Sequence, residues 1–227
     1  MKSKLKQILL IFIFGYLVSQ NAYSTDIFNF DVSELEIINE GNKIIGKNGG
    51  TVTSEDGIVI KAKNFEYDKI KNVLIAFGNV EIIDGEESIL IKSQKITYSK
   101  NNEIFFTNGE SNAIFDDIII NADNFEYNKI TNTINAKGNV KIDNKEENYL
   151  IYSDESTYQK SKGLFLTKGK SKAFNEGIEI YADNFEYNKV KDILKAVGNV
   201  KIDNKEENYL IYANDATYLK KDQLFLT

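Results

Sequence analysis

Three groupings of residues in this sequence have types and spacings that chemistry uses. Asp123 and Glu126 form a carboxylate pair of the sort that hydrolyses glycosides, and the same residues recur sixty positions on as Asp183 and Glu186. The acidic run Asp143-Asn144-Lys145-Glu146-Glu147-Asn148, with a copy starting at Asp203, offers the oxygen donors of a calcium loop. Tyr67, Tyr127 and Tyr187 stand at equal intervals, as a sugar-stacking row would. Each has a plainer reading. An active site is unique, so a carboxylate pair that repeats in step with the sequence fits polar strand edges better. The acidic run lacks the alternating ligands and central Gly of an EF-hand and reads as a solvated turn. Aligned aromatics in a sheet more often serve cross-strand packing.

Composition narrows the chemistry further. The 227 residues carry 28 Lys and Arg against 34 Asp and Glu, a formal net charge of −6, with no His, Cys, Pro or Trp. Every basic residue is Lys. A Ser-His-Asp triad, a thiol nucleophile, a structural zinc site and a CxxC pair are ruled out, as is a guanidinium clamp on phosphate. Nothing here points to an enzyme, a cofactor or a metal. Abundant Lys, Asn and Ile at the expense of Arg and Pro matches genomic base bias, and the lack of Cys leaves the redox compartment open.

The N-terminus reads as an export signal. Lys2, Lys4 and Lys6 form a positive region, the 11 residues from Ile8 to Val18 are apolar, and Ala22-Tyr23-Ser24 sets small residues at a cleavage site. A spanning helix needs about 20 apolar residues, so residues 1–24 are expected to be removed, with an uncleaved anchor as the alternative. No Cys follows the cut, which excludes a lipoprotein. The mature part, from residue 25, then holds 25 basic and 34 acidic residues. That net −9 argues against nucleic acid or an anionic membrane surface as a partner.

The elements that must position any site come from an internal repeat. Ile58 to Tyr67 (IVIKAKNFEY) recurs as Ile118 to Tyr127 (IIINADNFEY) and Ile178 to Tyr187 (IEIYADNFEY). Each copy is followed by Gly-Asn-Val, at 78–80, 138–140 and 198–200. Between Ile118–Tyr152 and Ile178–Tyr212, 26 of 35 positions are identical, which marks a recent duplication. Ser93 to Tyr98 and Ser153 to Tyr158, with Gly109 and Gly169, echo the same pattern and halve the 60-residue unit. Turn signals fall every 14 to 16 residues from Glu40 to Lys221, thirteen in all, and so divide the chain into about fourteen strands. Between turns the period is two: Ile134, Ala136, Gly138, Val140 and Ile142 point one way, Asn135, Lys137, Asn139 and Lys141 the other. Connections this short leave no room for a crossover helix, so neighbours should pair antiparallel in a meander.

One irregularity bears on shape. Apolar parity is even at Ile118, Ile120 and Ala122 but odd at Phe125 and Tyr127, so an extra residue must be absorbed near Asp123-Asn124, and likewise at Lys63-Asn64 and Asp183-Asn184. Stacked bulges predict a sheet bent along one line, and the central glycines allow a second close bend. Strands of about 11 residues would run roughly 36 Å. Folding such a meander over itself encloses its inward Ile, Phe, Val and Leu in a two-walled slot. The charged outward face does not suit a transmembrane barrel.

These features resemble the OstA-like family of lipopolysaccharide-transport proteins, which includes LptA, LptC and the N-terminal domain of LptD. The resemblance rests on Ile120-x-Ala122-Asp123 followed by Gly138-Asn139-Val140, with the copies of both, and covers roughly Val32 to the end. It implies an all-β, V-shaped jellyroll of stacked antiparallel strands, in the periplasm, holding the acyl chains of lipid A. One acyl chain of about a dozen methylenes costs on the order of 10 kcal/mol to expose to water, so a lipid with several needs a continuous apolar shield. The implied lining is Ile58, Ile60, Phe65, Ile118, Ile120, Phe125, Ile134, Val140, Ile178, Ile180, Phe185, Leu194 and Val200. Pattern alone favours an ordinary sandwich core for these residues; the resemblance is what makes them lipid-binding. It also implies pairing with other OstA-like domains through open edge strands near Val32 to Ile38 and Ala216 to Thr227. The end at Leu224-Phe225-Leu226-Thr227 falls inside a strand, because the matching Leu164 to Thr167 continues. The expectation is therefore the N-terminal part of an LptD-like protein, attached to the outer membrane through a later barrel. A complete LptA-like bridge and a secreted repeat adhesin are the alternatives.

Overall fold

The structure is a computed structural model that describes residues 27–146 and 148–227, so the export signal read at residues 1–24 lies outside the described residues. Eight strands are long: β1 (Phe28–Ile38), β2 (Lys43–Ser54), β5 (Val73–Asp84), β6 (Ile89–Ser99), β11 (Thr133–Asn144), β12 (Tyr149–Gln159), β17 (Ile193–Asn204) and β18 (Tyr209–Leu219). Five legs of similar length are broken in two: β3 (Val59–Ala62) with β4 (Asn64–Asp68), β7 (Ile104–Asn108) with β8 (Ser111–Phe115), β9 (Ile118–Ala122) with β10 (Asn124–Asn128), β13 (Leu164–Lys168) with β14 (Ser171–Asn175), and β15 (Ile178–Ala182) with β16 (Asn184–Asn188). Strand β19 (Leu224–Leu226) follows as the fourteenth leg. Every leg pairs antiparallel with the one before it, an unbroken meander whose turns fall where the punctuation of the sequence places them. Short alternating runs of β-branched and aromatic residues cut by polar turns permit little else. Among the described residues there is no α-helix, only three-residue 3-10 turns at Lys100–Asn102, Lys160–Lys162 and Lys220–Asp222.

The legs are kinked at their middles. At Lys63, Asp123 and Asp183 the kink is the single extra residue that the parity demands. On the following leg it is a Gly-Asn pair in which both residues are left-handed, with φ of 77° at Gly138 and 50° at Asn139. The main-chain N–H groups of Lys63, Asp123 and Asp183 donate to the carbonyls of Gly78, Gly138 and Gly198 at 3.0, 2.9 and 2.8 Å. Bulges and glycines therefore lie on one line, and the second bend expected from the glycines is the first bend continued on the neighbouring strand. Only Gly adopts that φ without strain, so it stands where the adjoining strand must turn the same corner. Because each leg folds at its centre, a wall holds only about five residues of it, roughly 17 Å, in place of a straight run of roughly 36 Å.

The sheet thus doubles over into two walls. The first contains β4, β7, β10, β13, β16 and β19 with the adjoining halves of the long strands; the second contains β3, β8, β9, β14 and β15 with the other halves. Their inward faces make one continuous apolar core. Ring pairs bridge it: Phe28 meets Tyr67 at 4.9 Å, Phe115 meets Tyr158 at 5.6 Å and Tyr149 meets Tyr187 at 4.8 Å, all edge to face. In each pair the first-wall ring lies later in the sequence, by 39, 43 and 38 residues. The walls are staggered, as strand twist requires of a meander folded across its strands. Stagger leaves inward residues uncovered at both ends. Leu35 and Ile37, opposite Gly46 and buried Ile44, are 48% and 60% exposed, while Tyr209 and Ile211 at the other end are only partly buried.

Candidate functional site

All thirteen lining residues expected from the sequence face inward and are buried. Phe65, Phe125, Ile134, Phe185 and Leu194 belong to the first wall; Ile58, Ile60, Ile118, Ile120, Val140, Ile178, Ile180 and Val200 belong to the second. The walls touch, and the interior is filled by its own side chains. An apolar cavity of about 30 Å³ sits among Tyr149, Ile151, Ala173, Ile180 and Leu194, room for about one water. Larger concavities lie outside, one of about 460 Å³ beside Phe106, Asn135 and Glu155 and one of about 540 Å³ beside Tyr152, Phe174 and Glu179.

Along the corner, inside, runs a hydroxyl network that the sequence reading missed. Thr107 and Ser111 share a 2.6 Å hydrogen bond, and the main-chain N–H of Phe125, freed by the bulge, donates to Thr107 Oγ1 at 2.7 Å. The copy is complete: Thr167 and Ser171 at 2.6 Å, with Phe185 N–H donating at 2.8 Å. The Thr-x-Gly-x-Ser spacing at Thr107 and Thr167 was the available signal. The network satisfies a buried donor that would otherwise cost about 1–3 kcal/mol.

The mouth, where the free ends of the two walls meet, carries a second unread motif. Tyr-x-Lys occurs at Tyr67, Tyr98, Tyr127, Tyr158, Tyr187 and Tyr218, at intervals of 31, 29, 31, 29 and 31 residues. Each Tyr is buried at the first rim, and each Lys opens the turn that follows. The rings stack on the neighbouring leg, Tyr98 on Phe105 at 3.9 Å, Tyr158 on Phe165 at 4.1 Å and Tyr218 on Phe225 at 4.4 Å. Tyr67, Tyr127 and Tyr187 are therefore packing residues, not an exposed sugar-stacking row. The lysines reach across. Lys100 lies 3.1 Å from Asp56, Lys129 lies 2.8 Å from Asp56 and 3.7 Å from Asp84, Lys160 lies 3.4 Å from Glu87, and Lys189 lies 2.8 Å from Asp117. Lys160 also donates to the main-chain carbonyl of Glu87, and Asn132 donates to the Glu87 carboxylate.

These charges tune one another. Burial would push the Asp56 carboxyl up, but hydrogen bonds from Lys129, Ser54 and Lys100 hold it well below the usual carboxylate range. Asp117 is likewise lowered, burial being outweighed by Lys189. Burial would lower Lys100 and Lys129, yet the hydrogen bonds they donate, Lys100 to Glu103 and Asp56 and Lys129 to Asp56, raise both, with the charge of Asp84 adding to the second. Burial, aided by Asp116 and Asp117, pushes the Tyr158 hydroxyl up to about 12. Asp84 is 2% exposed, and its Oδ2 has Lys129 only at 3.7 Å, beyond hydrogen-bond range.

The remaining sequence candidates fall outside the interior. Asp123 sits on the outer corner, where it accepts hydrogen bonds from Asn139 at 3.1 and 3.2 Å, and Glu126 accepts one from Asn135 on the outer face. No group of three or more acidic side chains among the described residues could hold a metal ion. No protein-family model and no curated protein matches the chain. Among solved structures it is similar to LptH of Pseudomonas aeruginosa, described as the LptA-homologous periplasmic component of a lipopolysaccharide transport device. The two are 17% identical, over 63% of this chain and 83% of that one, with a TM-score of 0.27. The assignment of an all-β fold rests on the strand register and burial of this chain itself.

Proposed function

We propose that the protein is a periplasmic lipopolysaccharide-transport component, whose two-walled interior takes up acyl chains and whose edges join it to sibling domains of the same fold. One observation carries this reading: the inward apolar face runs without interruption across all fourteen legs and stands uncovered at Leu35 and Ile37. The mouth is fastened by ion pairs rather than by apolar packing, and acyl chains entering between the walls would replace apolar contact with apolar contact. The filled interior favours a second reading, a secreted structural repeat that binds no lipid.

Photo-crosslinkers separate the two. Placed at inward Phe125 and Phe185 they are expected to capture lipopolysaccharide, while crosslinkers at outward Lys137 and Lys195 should not. Equal labelling at all four sites removes the interior from the account and leaves the structural repeat.

A further inference from the structure

Six lysines, Lys69, Lys100, Lys129, Lys160, Lys189 and Lys220, occupy one rim of the mouth at the same place in six successive turns. They are aligned by the main chain. Each donates its N–H to a carbonyl of the preceding turn on that rim: Asn42, Asn72, Glu103, Asn132, Gly163 and Asp192 in order, at 2.8 to 3.2 Å. Since these turns join every second leg, the row repeats at about 10 Å, twice the strand spacing. The four central side chains are 15 to 28% exposed and point over the mouth rather than into solvent.

Their partners belong to the other wall. Asp56, Asp84, Glu87 and Asp117 lie 44 to 73 residues earlier than the lysines they meet. The pairs are shared: Asp56 meets two lysines, and Lys129 divides itself between Asp56 and Asp84, whose Oδ2 lies 3.7 Å away. Parting the walls to admit an acyl chain carries these acids away and leaves the lysine row facing whatever enters. Lys100 keeps Glu103 of its own turn at 2.8 Å, but a neutral head group cannot compensate the three ammonium groups of Lys129, Lys160 and Lys189 parted from their acids; an anionic one can, with charge-assisted hydrogen bonds.

We propose that this lysine row is a subsite for the anionic head group of an amphiphile, occupied in the closed molecule by the protein's own carboxylates. The inference rests on the lipid-carrier reading and adds to it the residues that meet the head group and the charge that head group must carry. Opening exchanges one set of anions for another, so the mouth admits lipids that bring negative charge and disfavours those that do not.

Calorimetric titration of the full chain with dodecyl phosphate and with dodecyl maltoside, both below their micelle concentrations, tests it. Wild type should bind the phosphate about tenfold more tightly, a difference typical of a few charge-assisted contacts. In the variant with Lys100→Gln, Lys129→Gln, Lys160→Gln and Lys189→Gln that ratio should fall to about twofold or less, with maltoside affinity retained. The pair Lys160→Gln and Lys189→Gln reads the same trend should the fourfold variant fold poorly. Equal affinities in wild type, or a preference that survives the lysine changes, overturns the subsite and leaves the carrier standing. If neither amphiphile binds wild type, both readings fall.

Discussion

At the scale of single residues the corner is the most constrained place in the molecule. A Cβ on Gly138 would lie 2.2 Å from Asp123 Oδ2, and the same clash recurs at 2.3 Å between Gly198 and Asp183. Gly138→Ala should therefore destabilise the fold by about 2 kcal/mol, from left-handed strain and displacement of Asp123 together. Adding Asp123→Ala should recover part of that loss in a denaturant-melt double-mutant cycle, because the clash goes and the strain stays. The rim gives a pH prediction. Asp56 and Asp117 have folded-state values below their unfolded ones, so their contribution is present above about pH 4 and lost as pH falls through the lowered values. Lys100 and Lys129 are raised, so theirs is intact below about 10.5 and lost above it. Between these limits the mouth stays fastened. Acidification from pH 5 to 2 should raise the fluorescence of an apolar dye before the β circular-dichroism signal is lost, and Asp56→Asn with Asp117→Asn should abolish that early rise. The six Tyr-x-Lys copies were plain in the sequence, but their use was not, because each lysine's partner lies dozens of residues away on the opposite wall.

Strands and turns were far more legible. A period of two, thirteen polar interruptions and a parity slip at Asp123 are local signals, and local signals decide where a strand starts, ends and bulges. What the sequence does not carry locally is register between legs. Register is what sets Gly138 beside Asp123 and merges two expected bends into one, and what shortens each straight run to half a leg. The repeat also predicts that units are interchangeable. Deleting residues 118–177 joins Asp117 to Ile178 and brings Lys189 into the place of Lys129, opposite Asp56 and Asp84. The shortened chain should remain β by circular dichroism and unfold in one transition at a lower temperature, as nearest-neighbour repeats do. A melted or aggregated product would show that the copies, though alike, are fitted to their particular neighbours.

For the molecule as a whole, the apolar step left uncovered at Leu35 and Ile37 is a feature that a sealed sandwich lacks. Leu35 and Ile37 extend the first wall past the second, and Tyr209 and Ile211 extend the second past the first. Replacing Leu35 and Ile37 with Glu should leave the fold intact, since neither is buried, and reduce concentration-dependent self-association measured by light scattering. Unchanged association would place the contact elsewhere.

The stagger of the walls also gives the particle a polarity. Its two ends are cut obliquely, in opposite senses, like the halves of a carpenter's scarf joint. Stacking in a single direction, end upon opposite end, lets each overhang roof the ledge of the next unit of this fold, whether that unit belongs to another copy or to a further stretch of chain.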